Sequence, residues 1–204
     1  MITIIDYGMG NLGSVFSMFK RIGIKSHVTS DLEEIHKARK ILLPGVGAFD
    51  QAMRRISESG MQKVLNDKAI KEKVPVLGVC LGMQLLTESS KEGNLSGLGW
   101  IPGRALSFAE ELNDTSLKIP HMGWNNVVKT KSSALTNDFT DEYRFYFVHS
   151  YFVKCKERSN AILESTYGLT FDSAIQRDNI FGAQFHPEKS HKYGMKLFEN
   201  FAKI

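Results

Sequence analysis

Short apolar runs, several with a Gly or Pro within or beside them, recur along the chain. They are Ile2–Ile5 and residues 40–43, 74–79, 145–148 and 180–185. Runs of this length are typical of buried β-strands, and the neighbouring turn residues support that interpretation. We therefore predict a strand at each of these positions.

Between the early runs, apolar residues recur at the spacing of an amphipathic helix. One predicted helix carries Leu12, Val15, Phe16, Phe19 and Ile22 on a single face. Other helical stretches carry Met53 with Ile56, Val64 with Leu65, and, in a closing helix at residues 189–203, Met195, Leu197, Phe198 and Phe201. Strands that alternate with helices predict an α/β fold, with an open, mainly parallel sheet and helices on both faces.

The pattern changes between about residue 99 and residue 184, where short strand-like segments dominate. Examples are residues 126–129, Ala161–Tyr167 and residues 170–176. They predict an antiparallel extension of the same sheet. No repeat or Pro/Gly/Ser-rich linker interrupts the 204 residues, so we expect residues 1–204 to form a single domain.

Composition and charge exclude several classes of protein. Hydrophobic residues make up 42% of the chain, but no window approaches eighteen consecutive apolar residues, so no membrane span is expected. The N-terminus has no leader pattern, which favours a cytoplasmic protein. The net charge is +4, yet the basic residues are scattered, and a nucleic-acid partner is not expected. Two cysteines without a Cys-x-x-Cys spacing support neither a disulfide scaffold nor a structural zinc site.

The most informative segment surrounds Cys80, where an apolar strand runs through Gly-x-Cys-x-Gly into a helix beginning near Leu81. This is the pattern of a nucleophile elbow, with Cys in the place of Ser. The chain doubles back there, so Gly78 and Gly82 meet the need for small residues on either side. A sulfur at a helix N-terminus is favoured as thiolate, the reactive form. A buried structural cysteine is the alternative interpretation.

A cysteine nucleophile needs a histidine, and the histidine needs a group that orients it. His186 and Glu188 follow an apolar strand, and in an extended segment both side chains point to one face. We predict that Cys80, His186 and Glu188 form a catalytic triad. A metal site pairing His186 with His191 is disfavoured by the spacing and by Pro187, and no metal or other cofactor is expected.

Acyl-transfer chemistry also needs backbone N–H groups aimed at the developing oxyanion. The N–H of Leu81, directly after the nucleophile, is one candidate donor. The second is expected in the loop of Gly45, Val46 and Gly47, which follows another predicted strand. Glycines permit the close approach and peptide reorientation that such a loop requires. A plain glycine turn is the alternative.

A different class of function is suggested by Gly8, Gly10 and Gly13, which lie between a predicted strand and a predicted helix. Their spacing matches the dinucleotide-binding fingerprint, and Asp31 lies near the distance expected for a ribose-binding acid. The fingerprint alone gives many false matches, and this reading leaves Cys80, His186 and Glu188 without a role.

Taken together, these segments resemble the class I (triad) glutamine amidotransferases, and more closely the glutaminase (HisH-type) subunits of imidazole glycerol phosphate synthases. The resemblance runs from end to end and rests on Asp6-Tyr7-Gly8-Met9-Gly10-Asn11-Leu12, Leu43-Pro44-Gly45-Val46-Gly47, Gly78-Val79-Cys80-Leu81-Gly82-Met83-Gln84, Pro120-His121-Met122-Gly123-Trp124-Asn125, Tyr146-Phe147-Val148-His149-Ser150-Tyr151 and Gln184-Phe185-His186-Pro187-Glu188.

The resemblance implies hydrolysis of glutamine to glutamate and ammonia by Cys80, His186 and Glu188. It also implies that Gln84 and the backbone at His149, Ser150 and Tyr151 hold the amino-acid end of glutamine. The implied partner is a (β/α)8-barrel synthase/cyclase subunit, which uses the ammonia to form imidazole glycerol phosphate in histidine biosynthesis.

Two other uses of the same chemistry stay open at the level of sequence. The chain could supply ammonia to a nucleotide-sugar amidotransferase of surface polysaccharide synthesis, or act as an isolated cysteine hydrolase. Trp124 is also ambiguous, because Trp is enriched both in cores and at interfaces. We expect it either to contact the synthase or to belong to the core.

Overall fold

A computed structural model describes residues 1–114, 116–140 and 142–204. The strands are β1 (Ile2–Ile5), β2 (Ser26–Thr29), β3 (Ile41–Gly45), β4 (Val76–Cys80), β5 (Ser89–Ser90), β6 (Gly103–Ser107), β7 (His121–Asn126), β8 (Val128–Lys129), β9 (Arg144–His149), β10 (Tyr151–Cys155), β11 (Ala161–Tyr167), β12 (Leu169–Arg177) and β13 (Ile180–Ala183). The α-helices are α1 (Leu12–Arg21), α2 (Leu32–His36), α3 (Phe49–Glu58), α4 (Met61–Asn66), α5 (Leu81–Leu85), α6 (Phe108–Glu111) and α7 (His191–Lys203), and a π-helix, Asp67–Lys71, extends α4. Short 3-10 turns lie at Ala134–Thr136, Arg158–Asn160 and Pro187–Lys189.

One large sheet organises the molecule. Its strands follow the order β2-β1-β3-β4-β13-β12-β10-β6-β5, and β11 joins β12 to β8. The five strands from β2 to β13 pair in parallel, whereas β12 and β10 add antiparallel strands. The predicted α/β fold, with a parallel sheet and an antiparallel extension, is confirmed.

The strand predicted at residues 145–148 exists as β9, but it does not join the large sheet. It pairs with β7 in a separate two-stranded sheet. Apolar runs predict strands but not their partners, because pairing depends on tertiary packing.

Helices cover both faces of the large sheet, and each face has its own buried core. Apolar residues of α1 and α7 pack with the side chains on one face, while α3, α4 and α5 pack on the other. The predicted inward residues are buried or half-buried, with one exception. Phe16 is exposed, and Met18 lies inside instead, because the buried stripe of α1 runs through Val15, Met18 and Phe19.

The carboxyl ends of the adjacent strands β3, β4 and β13 meet at one edge of the sheet. Gly45 and Cys80 end two of these strands, and His186 follows the third by three residues. In open α/β sheets this edge is where ligands bind. Across the part of the chain that the structure describes, no helix is long and apolar enough to cross a membrane.

Candidate active site

Cys80 occupies a strained position at the turn from β4 into α5. Its φ is +54°, a value that L-residues with side chains rarely adopt. The flanking glycines explain how the turn closes. A Cβ at Gly82 would overlap the carbonyl oxygen of Leu43, and one at Gly78 would lie 2.6 Å from the carbonyl oxygen of Gly82. The geometry is that of the predicted elbow.

His186 and Glu188 lie side by side, as the sequence predicts. His186 Nδ1 is 2.7 Å from Glu188 Oε1, and each side chain is only 2% exposed. The predicted extended conformation is wrong, however, because Pro187–Lys189 forms a 3-10 turn. Pro187 fits its first position, where a backbone N–H is not needed.

Hydrogen bonds at both its N–H and its carbonyl fix the backbone of His186. Its N–H donates to the Tyr146 carbonyl at 2.9 Å. The Ser190 hydroxyl donates to the His186 carbonyl at 2.6 Å and accepts from the Tyr146 N–H at 2.9 Å. The histidine is therefore anchored to both β9 and the start of α7.

The environment of His186 favours its protonated form. Burial acts to lower its pKa, but hydrogen bonding and negative charge from Cys80 and Glu188 outweigh burial and raise the pKa to about 10. Since Nδ1 faces Glu188, Nε2 is the nitrogen available to the sulfur and to a bound substrate. The arrangement supports a protonated His186 beside Cys80.

A cleft of about 330 Å³ opens over Cys80. Its lining includes most of the predicted site residues: Val46, Gly47, Cys80, Leu81, Gln84, His149, Ser150, Tyr151 and His186. Two predicted residues lie outside this lining. Gly45 is buried opposite Cys80 in the β3–β4 pairing, and Glu188 is buried against His186.

The predicted oxyanion loop is anchored by a residue to which sequence reasoning assigned no role. The buried Tyr7 hydroxyl donates to the Pro44 carbonyl at 2.7 Å. Burial, together with the negative charge of Cys80, raises the pKa of Tyr7, so its hydroxyl keeps its proton. Beyond this anchor, Val46 is exposed at the mouth of the cleft.

Glu92 is a second residue that sequence reasoning missed. It lines the cleft, and its carboxylate accepts from the Phe49 N–H at the start of α3, at 3.0 Å. Burial raises the pKa of Glu92, against the lowering effect of that hydrogen bond, and nearby Asp50 raises it further. No motif marks this carboxylate, which lies in a loop between β5 and β6.

Glutamine side chains connect the wall of the cleft to the nucleophile. Gln84 Nε2 donates to the Tyr151 carbonyl and to Gln184 Oε1, each at 3.2 Å. Gln184 Nε2 in turn lies 3.8 Å from Cys80 Sγ. The sequence placed Gln84 in the site, but it gave no role to Gln184.

The residues of the dinucleotide-binding alternative have structural roles. Gly10 adopts φ +115° where the chain passes the backbone of Pro44 and Gly45, and Gly8 also has a positive φ. Asp31 caps α2 by accepting from the Glu34 N–H at 3.0 Å. These contacts do not favour that alternative.

Trp124 does not belong to the core, because 43% of its surface is exposed. Its ring stacks on His191 with a centroid separation of 5.7 Å and lies beside Arg144. The core interpretation of Trp124 is therefore wrong.

Comparison with known proteins agrees with this geometry. The chain matches the glutamine amidotransferase class-I family over residues 3–204. It is 51% identical over 203 residues to imidazole glycerol phosphate synthase subunit HisH 2 of Methanococcus maripaludis, covering all of this chain and 99% of that protein. It is 47% identical over 204 residues to subunit HisH of Bdellovibrio bacteriovorus, with both chains fully covered.

A crystal structure described as a glutamine amidotransferase covers both chains completely, with a TM-score of 0.76 at 14% identity, and so supports the fold. The family match and the full-length relatives carry the assignment further. This chain belongs to the class-I glutamine amidotransferase family, and it is a glutamine amidotransferase enzyme of the HisH type.

Proposed function

We propose that this chain is the glutaminase subunit of an imidazole glycerol phosphate synthase and passes ammonia to a synthase subunit. The single observation that carries the proposal is the strained Cys80 elbow, which opens into the same cleft as His186, whose ring is paired with the buried Glu188. We take residues 1–204 as one glutamine amidotransferase domain, acting in the cytoplasm.

In the first half of the reaction, the Cys80 thiolate attacks the side-chain amide carbon of glutamine. The carbonyl oxygen becomes an oxyanion, for which the Leu81 N–H and an N–H of the Gly45–Val46–Gly47 loop are the proposed donors. The Leu81 N–H lies at the start of α5, where no helical carbonyl accepts from it. Protonated His186 gives its proton to the departing nitrogen, the C–N bond breaks, and ammonia leaves a thioester on Cys80.

In the second half, neutral His186 accepts a proton from water, and the resulting hydroxide attacks the thioester carbonyl. The C–S bond then breaks, glutamate leaves, and the thiolate is restored beside a protonated His186. Glu188 stays hydrogen-bonded to Nδ1 of the His186 ring throughout. Nε2 therefore gives the proton in the first half of the reaction and accepts the proton in the second.

The amino-acid end of glutamine carries a negative α-carboxylate and a positive α-ammonium group, and each needs a partner. Gln84 and the backbone at His149, Ser150 and Tyr151 are proposed to hold the amino-acid end of glutamine. Glu92 is the carboxylate within the cleft lining, and we propose that it faces the α-ammonium group.

The ammonia requires a partner, because ammonia released into neutral water is protonated and loses its nucleophilicity. We propose a (β/α)8-barrel synthase as that partner, in a heterodimer. We propose the outer face of β7 as the surface that contacts this partner. Its side chains Met122 and Trp124, two residues apart, are 62% and 43% exposed.

The test is glutamine hydrolysis by the chain co-purified with its partner. Cys80→Ala should abolish turnover while the fold persists, and His186→Ala should be nearly as severe because members of one catalytic unit act together. His36→Asn, on the exposed face of α2, serves as a matched control. Normal turnover by folded Cys80→Ala protein would overturn the mechanism, and a partner that aminates a nucleotide sugar would overturn the pathway.

A further inference from the structure

Two buried histidines, His121 and His149, face each other across the β7–β9 pairing, and the proposed mechanism uses neither side chain. They are 3% and 5% exposed, and His121 Nδ1 lies 2.9 Å from His149 Nε2. Buried polar pairs of this kind carry a high cost if either partner is lost. The hydrogen-bond partners of the two rings indicate the role of the pair.

Beyond the pair, hydrogen bonds continue in both directions. On one side, Asn125 Nδ2 lies 3.3 Å from His121 Nε2 and donates to the Thr166 carbonyl at 2.9 Å. On the other, His149 Nδ1 lies 2.8 Å from the Tyr151 carbonyl. That carbonyl also accepts from Gln84, so the hydrogen bonds reach the wall of the cleft. From there Gln84 donates to Gln184, whose Nε2 lies 3.8 Å from Cys80 Sγ.

The hydrogen-bond partners decide which ring nitrogen of each histidine donates and which accepts. A carbonyl can only accept, so Nδ1 of His149 carries the hydrogen and Nε2 accepts. His121 must then donate from Nδ1 and accept at Nε2 from the Asn125 amide. Burial, which lowers the pKa of His121 to about 4 and is the main cause lowering that of His149 to about 3, keeps both rings neutral, as this pattern requires.

Aromatic rings enclose the pair. His121 stacks between Phe147 and Tyr167, with centroids 5.0 and 4.2 Å away, and the edge of Phe108 packs against both histidines. Because these rings enclose the pair, solvent does not readily replace a hydrogen bond that the pair loses.

We propose that His121 and His149 are positioning residues, whose fixed hydrogen-bond direction holds the Tyr151 carbonyl and Gln84 in place for glutamine binding. This inference rests on the proposed function, because it concerns the same cleft. The pair is bonded directly to the substrate-binding wall and reaches Cys80 only through Gln84 and Gln184. Its removal should therefore raise KM for glutamine much more than it lowers kcat.

The experiment compares three substitutions of His121, which lies behind the cleft wall. His121→Phe keeps the ring packing and removes both hydrogen bonds. His121→Asn places an N–H donor near the position of Nδ1, whereas His121→Gln places its amide near Nε2 and loses the bond to His149. Kinetics are measured on the complex with the synthase partner, with His36→Asn as the control histidine substitution.

Phe and Gln both lose the hydrogen bond to His149. We expect each to raise KM about tenfold, the effect of losing that one buried hydrogen bond, with kcat within about twofold. Asn should stay within about threefold of the wild type. Equal KM values for Asn and Gln, or unchanged KM in a folded Phe variant, would overturn the proposal.

A second measurement needs no substitution. Histidine ¹⁵N NMR of the wild-type chain should show Nδ1–H tautomers for both His121 and His149, and an Nε2–H tautomer at His149 would overturn the assignment. If the wild-type complex does not hydrolyse glutamine, the proposed function fails, and the tautomers still decide the direction of the hydrogen bonds.

Discussion

The proton on His186 is held by two negative groups, Cys80 and Glu188, against the effect of burial. Its pKa of about 10 lies above the value of about 6.5 expected in the unfolded chain. The protonated ring therefore contributes fully to stability below pH 6.5, and this contribution is lost as the pH rises through about 10. The proton for the leaving ammonia is lost over the same range.

We predict that kcat/KM for glutamine declines as the pH rises through about 10, and that Glu188→Gln moves this decline to lower pH by about one unit or more. The physical reason is the loss of a negative charge beside Nδ1. Glu33→Gln, at an exposed position in α2, is the matched control. The measurement is the pH–rate profile, and an unmoved alkaline limb in Glu188→Gln would show that Glu188 does not set the protonation of His186.

The residues that sequence could predict at this site are those with local signals. Cys80 is marked by its flanking glycines, and His186 and Glu188 are marked by their spacing after a strand. Tyr7, Glu92 and Gln184 carry no such signal, because each acts through partners far away in sequence. Their roles follow from which strand ends the fold brings together.

At the scale of elements, the elbow depends on close backbone contact between β4, α5 and β3. We predict that Gly82→Ala destabilises the chain by more than about 3 kcal/mol, because its Cβ would overlap the Leu43 carbonyl oxygen, which belongs to a buried strand. Chemical denaturation measures the change in the free energy of unfolding.

Gly13→Ala is the matched control, since Gly13 lies in α1 and a Cβ there meets nothing within 4 Å. It should stabilise the chain by about 0.5–1 kcal/mol through helix propensity. Equal effects of the two substitutions would mean that the elbow does not require a small residue at position 82.

Element prediction succeeded where the pattern is periodic and failed where tertiary contacts decide. Four of the five strands of the parallel sheet and the closing helix follow from apolar runs and helical spacing. The edge strand β2 (Ser26–Thr29) was not predicted, because it contains no apolar run. The separate β7–β9 sheet does not follow from these patterns either, because a half-buried strand matches several possible partners. Phe16 fits the helical spacing as well as Met18 does, and the orientation of α1 on the sheet selects between them.

At the scale of the whole molecule, strand β7 connects the proposed substrate site with the proposed synthase surface. His121 at its start pairs with His149 of the cleft wall, while Met122 and Trp124 face outward. A single strand thus packs behind the wall of the cleft and carries the proposed synthase surface. Sequence could predict the fold and Cys80, His186 and Glu188 as a candidate triad, but not this arrangement, because Trp124 gives the same signal inside a core as at an interface.

The two tryptophans of the chain allow the proposed synthase surface to be tested directly. We predict that Trp124→Ala weakens binding of the synthase partner about thirtyfold, the effect of losing one interface hot spot, and changes the free energy of unfolding by less than about 1 kcal/mol. Trp100→Phe is the control, because Trp100 is buried and donates to Asn66 Oδ1 at 2.7 Å. It should lower stability by about 1–2 kcal/mol and leave affinity unchanged. Titration calorimetry and denaturation separate the two effects, and normal affinity in a destabilised Trp124→Ala chain would return Trp124 to a purely structural role.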